Sequence, residues 1–310
     1  MKLYCVALLS IILCFPVEAQ PGTQLSDNQP ANELKALRQS IMAILSTKKA
    51  KVGVSILGDN GKDTLSINGD HHFPMQSVFK FPIALTVLSQ IDQGKFSLDQ
   101  FLKIDEKELL PGLYSPLRER YPQGANLKIS EILKYTVSQS DNVGCDVLLR
   151  LIGGPQVVEH YIVEKGFRDF SVKINEEVMQ NNWDLQFMNW TTPKTASQIL
   201  YTFYNNDKKF LSTRNYDFIW TTMKETETGI NRIKGKLPAG TTVAHKTGWS
   251  GSNTEGITAA VNDIGVVFLP DGRHFFIGVF VTDCKEDLAT SEKIIADISK
   301  VAWDYFTSTK

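Results

Sequence analysis

The sequence predicts a mixed α/β (α+β) fold. An antiparallel sheet is flanked by N- and C-terminal helices and receives an inserted, mainly helical lobe. Three observations predict it: β-branched runs near both ends of the chain, helical periodicity across the middle, and a helical pattern outside each set of strands. After a polar, turn-rich leader at 20–31, apolar Leu34, Leu37, Ile41, Ile44 and Leu45 recur with helical spacing over 32–45. Residues 51–57 alternate as a strand does, and Gly58-Asp59-Asn60-Gly61 reads as a hairpin turn into a second strand at 64–67. Residues 78–93 are strongly apolar and helical, stopping at Gly94. Ser130 stands where it can N-cap a helix running towards Ser140, and 142–152 carries a further helical face ended by Gly153-Gly154. Residues 175–189 are polar with little periodicity, and such a stretch inside a compact domain is usually functional. Strand-like runs follow at 241–247, 256–261, 265–269 and 275–282, with turns expected at Asn262-Asp263 and Pro270-Asp271-Gly272. A helix at 291–306 closes the chain.

Composition narrows the function. The 310 residues carry 33 Lys+Arg against 34 Asp+Glu, a formal net charge of −1. No cationic excess is available to neutralise phosphates or to hold an anionic bilayer, so neither a nucleic-acid partner nor a polybasic membrane surface is expected. With 42% hydrophobic residues and a mean hydropathy of −0.15, both wholesale disorder and a multi-span membrane protein are excluded. Residues 1–19 read as a signal peptide: Lys2, an apolar run over 3–15, then Val17 and Ala19 before a cleavage point at Gln20. Cys14 follows a bulky Leu13, which argues against lipid attachment. The expected product is exported, periplasmic or secreted, monomeric and free of the membrane. It spans 20–310, with an α/β lobe at about 32–76 and 225–310 and a helical lobe at about 77–224. Cys145 and Cys284 remain, enough for one bridge at most.

Three short motifs stand in order: Ser77-Val78-Phe79-Lys80, Ser140-Asp141-Asn142 and Lys246-Thr247-Gly248. Each alone is weak, and the chain holds decoys of two of them, at Ser46–Lys49 and Ser26-Asp27-Asn28. The decoys fall at the polar end of a helix and in the leader, whereas the later set falls at a helix start, a helix–helix junction and a strand. The residue types suit one chemistry. Ser77 and Lys80, three apart at a helix start, share a face. A serine hydroxyl needs a neighbouring base, and a lysine serves if burial and nearby positive charge lower its pKa. Lys246 adds positive potential from the opposite wall. Ser140 can pass a proton to a leaving nitrogen, and Asn142 can orient Lys80 and a substrate amide. Lys246 and Thr247 offer a cation and a hydroxyl to an anionic carboxylate.

SxxK, SDN and KTG in this order resemble a class A serine β-lactamase. The resemblance covers essentially the whole chain after the leader. It implies the fold shared by β-lactamases and penicillin-binding transpeptidases, a small-molecule β-lactam substrate, antibiotic resistance as the outcome, and no cofactor. Phe79-Lys80-Phe81-Pro82 also fits, as does Tyr114-Ser115-Pro116, where the family carries an aromatic at the cleft edge. The family places a glutamate that activates the deacylating water between SDN and KTG. Glu176 and Glu177 are adjacent candidates: Glu177 with Asn181 satisfies the usual spacing literally, while an ungapped reading to Asn189-Trp190 resembles an extended-spectrum branch and selects Glu176. Gln76 before the nucleophile fits that branch, and Glu176 is preferred. The resemblance further implies an oxyanion hole from the backbone N–H groups of Ser77 and Trp249.

Departures also show. The stretch taken to follow KTG, Ser252-Asn253-Thr254-Glu255, lacks the arginine that many members use for the substrate carboxylate, and Arg232 stands where a subset supplies that charge. Trp249 is bulkier than usual, and the common family disulfide is absent, its first position falling near Ala84. His71-His72 lack metal-ligand spacing, so no metal is expected, and His245 reads as a strand residue rather than a base. A penicillin-binding peptidase and a non-hydrolysing β-lactam sensor are the alternatives; both normally bring a membrane segment.

Overall fold

The computed structural model describes residues 29–61 and 64–308; the signal-peptide reading at 1–19 lies outside them. The chain opens with α1 (Gln29–Leu45), β1 (Lys51–Gly58), β2 (Thr64–Ile67) and the short β3 (Phe73–Pro74). The helical stretch follows: α2 (Lys80–Asp92), β4 (Phe101–Asp105), α3 (Pro116–Arg120), β5 (Gly124–Lys128), α4 (Ile129–Ser138), α5 (Asn142–Ile152) and α6 (Pro155–Glu164). Next come β6 (Phe170–Ser171), α7 (Glu176–Asn181), β7 (Trp190–Thr191), α8 (Pro193–Asn205) and α9 (Thr213–Lys224). The chain returns through β8 (Val243–Trp249), β9 (Val261–Phe268), β10 (His274–Thr282) and α10 (Leu288–Ser308).

Among the described residues the main sheet runs β2-β1-β10-β9-β8, so strands from both ends of the chain share it. All its pairings are antiparallel; Val54 lies opposite Val279 and Gly278 opposite Ile264. Both sheet faces are apolar, as a sheet covered on both sides requires. One face packs Val52, Val54, Ile277 and Val279 against Leu37 and Ile41 of α1 and Ile294, Ile298 and Ala302 of α10. The other face joins Phe276, Phe280 and Val266 to the core of the helical stretch. At the centre of that core, α2 is buried all round, with Phe81, Ile83, Ala84, Leu85, Val87 and Leu88 all fully buried. Helix α8 lies in the helical stretch by sequence yet packs on β1 and β10.

Several expectations are corrected. The first helix begins at Gln29, inside the expected leader. Ser77 lies in a 3-10 turn, Gln76–Phe79, ahead of α2 rather than on its first α-helical turn. A 3-10 turn eclipses positions three apart, so Ser77 and Lys80 still share a face. Helix α4 starts at Ile129, with the Lys128 N–H donating to the Glu131 carboxylate at 3.0 Å, so Ser130 lies inside the helix and does not cap it. The polar 175–189 stretch holds α7 and a 3-10 helix, Trp183–Met188. Asn262-Asp263 is no turn: both residues are buried inside β9, and 256–260 is no strand. The strand after Lys246-Thr247-Gly248 is therefore 261–268, and the 252–255 stretch lies in the connection before it. Cys145 and Cys284 are both buried free thiols.

Candidate active site

The three motifs meet where α2, the α4–α5 junction and β8 converge. Gln76, immediately before Ser77, has φ +47, and Ser140 has φ +61. Non-glycine residues in this left-handed region are uncommon and need outside restraint. Around Ser140 the restraint is Asp141, which N-caps α5 through its Oδ1, accepting from Gly144 N at 2.7 Å. Its Oδ2 accepts from the Ser115 hydroxyl at 2.8 Å and Leu117 N at 2.7 Å. Burial raises the Asp141 pKa, and these donors oppose the rise. The Asn142 N–H donates to Tyr114 O at 3.0 Å, which ties the Tyr114 backbone to the Ser140-Asp141-Asn142 turn, and the Tyr114 side chain is exposed.

Lys80 is fully buried, which lysine tolerates only when paired. Its ammonium lies 2.8 Å from Ser77 Oγ, 2.9 Å from Ser140 O, 2.5 Å from Asn142 Oδ1 and 2.7 Å from Glu176 Oε1. Glu176 is buried, whereas Glu177 faces solvent. Lys246, also fully buried, donates to Ser140 Oγ at 2.9 Å and to Thr247 O at 3.0 Å. Burial first, then the Lys80 cation, pushes the Lys246 ammonium well below its ordinary pKa. Lys246 thus reaches the Ser140 hydroxyl and Lys80 the Ser140 carbonyl, and Lys80 in turn joins both Ser77 and Glu176.

The remaining expected residues divide. Thr247 is buried and shares a hydrogen bond with Thr228 (Oγ1–Oγ1, 2.6 Å). The Trp249 side chain, at the end of β8, is exposed. Arg232 is not a surface arginine: it is 5% exposed, with Nη1 on the carbonyls of Gly248 and Asn262 and Nε on Glu292. His245 is buried in β8, with Nδ1 3.0 Å from Asp263 Oδ1.

Sequence reasoning missed Asp146. One turn along α5 from Asn142, its two carboxylate oxygens accept from Glu176 N at 2.8 Å and Glu177 N at 2.9 Å, which fixes the start of α7. The four-residue step from Asn142 was the available signal. Burial, with the Glu176 charge adding to it, pushes the Asp146 carboxyl up to about 7. Gln186 was also missed; its Oε1 accepts from Gln76 Nε2 at 2.7 Å, joining the 3-10 helix to the turn before Ser77. A cleft of about 340 Å3 lies between these glutamines, Glu176, Gly112 and Trp183.

A serine hydroxyl on a buried lysine, a second lysine–serine pair opposite and a carboxylate alongside define a serine hydrolase of the type that opens amides through an acyl-enzyme. The comparisons carry this further. The model of the β-lactamase enzyme family matches residues 36–306. The chain is 52% identical over 270 residues to β-lactamase VEB-1 of Pseudomonas aeruginosa, covering 87% of this chain and 90% of that protein. It is 42% identical to the extended-spectrum β-lactamase PER-1 of the same organism, covering 87% of each. Among solved structures, the extended-spectrum β-lactamase TLA-1 superposes with a TM-score of 0.86 at 49% identity, covering 88% of this chain and 99% of that one. A class A β-lactamase of Bacteroides cellulosilyticus gives 0.85 at 38%, covering 90% and 99%. The chain belongs to the β-lactamase enzyme family, as a class A serine enzyme that hydrolyses the β-lactam amide.

Proposed function

We propose that Ser77, Lys80, Ser140 and Glu176 carry this hydrolysis in two steps. Ser77 Oγ attacks the lactam carbonyl while its proton passes either directly to Lys80, once Lys80 has given a proton to Glu176 and become an amine, or through water to the Glu176 carboxylate. The backbone N–H groups of Ser77 and Trp249 hold the oxyanion. As the C–N bond breaks, Ser140 hands its hydroxyl proton to the ring nitrogen and takes one from Lys246, and the proton removed from Ser77 makes good that loss, which leaves Glu176 a carboxylate. Glu176 then takes a proton from water, the hydroxide attacks the ester, and Ser77 leaves with a proton returned. Asn142, Thr247, Lys246 and the Tyr114 and Trp249 rings bind the substrate. The observation that carries this reading is the 2.7 Å contact between Lys80 and Glu176 beside the 2.8 Å contact to Ser77.

The finer reading is an exported, extended-spectrum enzyme working as a monomer. The signal-like residues 1–19 support export, and no helix among the described residues is long and apolar enough to cross a membrane. The likeness to the extended-spectrum β-lactamases PER-1 and TLA-1 supports the extended-spectrum reading, and the cleft beside Glu176 offers room for a substrate side chain. The motifs fall where the lobes at about 32–76 with 225–310 and 77–224 adjoin.

Replacing Glu176 by alanine tests the assignment. Acylation should persist while turnover stops, leaving a covalent Ser77 adduct visible by intact mass with a chromogenic cephalosporin. Unchanged turnover would move the base to Glu177.

A further inference from the structure

Two buried side chains with no part in that reaction sequence converge on the backbone beside Ser77 and Trp249. Arg232 Nη1 donates to Gly248 O and Asn262 O, each at 3.0 Å, while its Nε donates to Glu292 Oε1 of α10 at 3.2 Å. The Gly248 carbonyl belongs to the same peptide unit as the Trp249 N–H. A charged donor on that carbonyl fixes the peptide plane and polarises the N–H at its other end. Asn262, 1% exposed, sits opposite Gly248. Its Nδ2 donates to Pro74 O at 2.8 Å and Met75 O at 3.2 Å, the two carbonyls before the left-handed Gln76. Its Oδ1 is buried without a hydrogen-bond partner, a cost a protein rarely keeps without a use for the rest of the side chain. The two backbone segments touch: a Cβ on Gly248 would lie 2.5 Å from Met75 O and 3.3 Å from Ser77 N.

We propose that Arg232 and Asn262 are positioning residues of the oxyanion hole, Arg232 orienting and polarising the Gly248–Trp249 peptide and Asn262 holding the turn that carries Ser77. This rests on the proposed role of the Ser77 and Trp249 N–H groups. It gives Arg232 a different task from holding the substrate carboxylate, since its Nη1 and Nε face backbone carbonyls and Glu292.

The two tasks separate with an arylboronic acid that bears no carboxylate. Its boron bonds to Ser77 Oγ, the serine proton passes to the site's base, and a boron hydroxyl occupies the oxyanion position. With the full chain, Arg232→Gln and Asn262→Ser should each raise the boronate inhibition constant about ten-fold or more. They should lower kcat/KM equally for a cephalosporin and for its carboxylate ester. Thermal unfolding confirms that the variants are folded. Should Arg232→Gln fail to fold, Arg232→Lys keeps a charge beside Glu292 but not the fork, and the same boronate measurement applies. Unchanged boronate affinity with a loss confined to carboxylate-bearing substrates overturns the proposal. A wild-type chain that forms no boronate adduct and turns over no cephalosporin overturns the proposed catalytic reading instead.

Discussion

Lys80 and Lys246 are both fully buried, and each is tolerated there because its nitrogen lies against oxygen acceptors. These residues were legible because each stands in a contiguous motif whose spacing survives folding: Ser77 and Lys80 share a face in a 3-10 turn as they would in an α-helix. Asn262 and Asp263 were illegible because their types favour turns, and only tertiary burial in β9 reverses that preference. Asn262 instead spends its amide on Pro74 and Met75, and Asp263 its carboxylate on His245 and Ile233 N. Gly248 shows how little slack this leaves. The neighbours of a new Cβ are mostly backbone and cannot rotate aside. Gly248→Ala should therefore push the Ser77 turn from β8 and cost about 10² or more in kcat/KM for a chromogenic cephalosporin, with near-UV circular dichroism preserved. Activity within about two-fold of wild type would show that the two segments separate freely.

The α7 segment shows why one element escaped the sequence. Its polar residues lack periodicity because they are spent on backbone groups, not on an apolar face. Asn175 accepts from Val178 N, Asn182 from Asp184 N, and Asn189 from Lys173 N and Ile174 N. Asp146, from another helix, supplies the remaining acceptors. A pattern search sees only polarity; the partners appear once α5 is beside it. Asp146 also gives the element a pH signature. Its folded carboxyl keeps its proton up to about 7, whereas an unfolded aspartate releases it near about 3.9. Between those values the folded state binds more protons. The contribution of this group to stability is thus fully present below about 3.9 and is lost as pH rises through about 7. Asp146→Asn abolishes that titration. The urea midpoint of wild type relative to the variant should fall between pH 5 and pH 8, and an equal difference at both would assign the titration elsewhere.

At the scale of the molecule, the sheet-helices-sheet order was legible because strands cluster near both termini, and β1 beside β10 confirms that one sheet is built from both. The packing of α8 on that sheet was not, since an amphipathic pattern names a buried face but not its partner. The same scale governs how an anionic substrate reaches the cleft. With a net charge of −1 the protein offers no long-range attraction. The cations that matter, Lys80 and Lys246, are buried, and each lies against carbonyl, hydroxyl or carboxylate oxygens. Salt screens exposed charges beyond about 8 Å at physiological ionic strength, but buried groups much less. Raising ionic strength from about 0.05 to 0.5 M should therefore change kcat/KM for an anionic cephalosporin by less than about two-fold, because the attraction arises within contact range. Its preference over the carboxylate ester of the same compound should persist. A ten-fold fall for the anion alone would instead reveal steering by exposed surface charge, and the local account of substrate capture would fail.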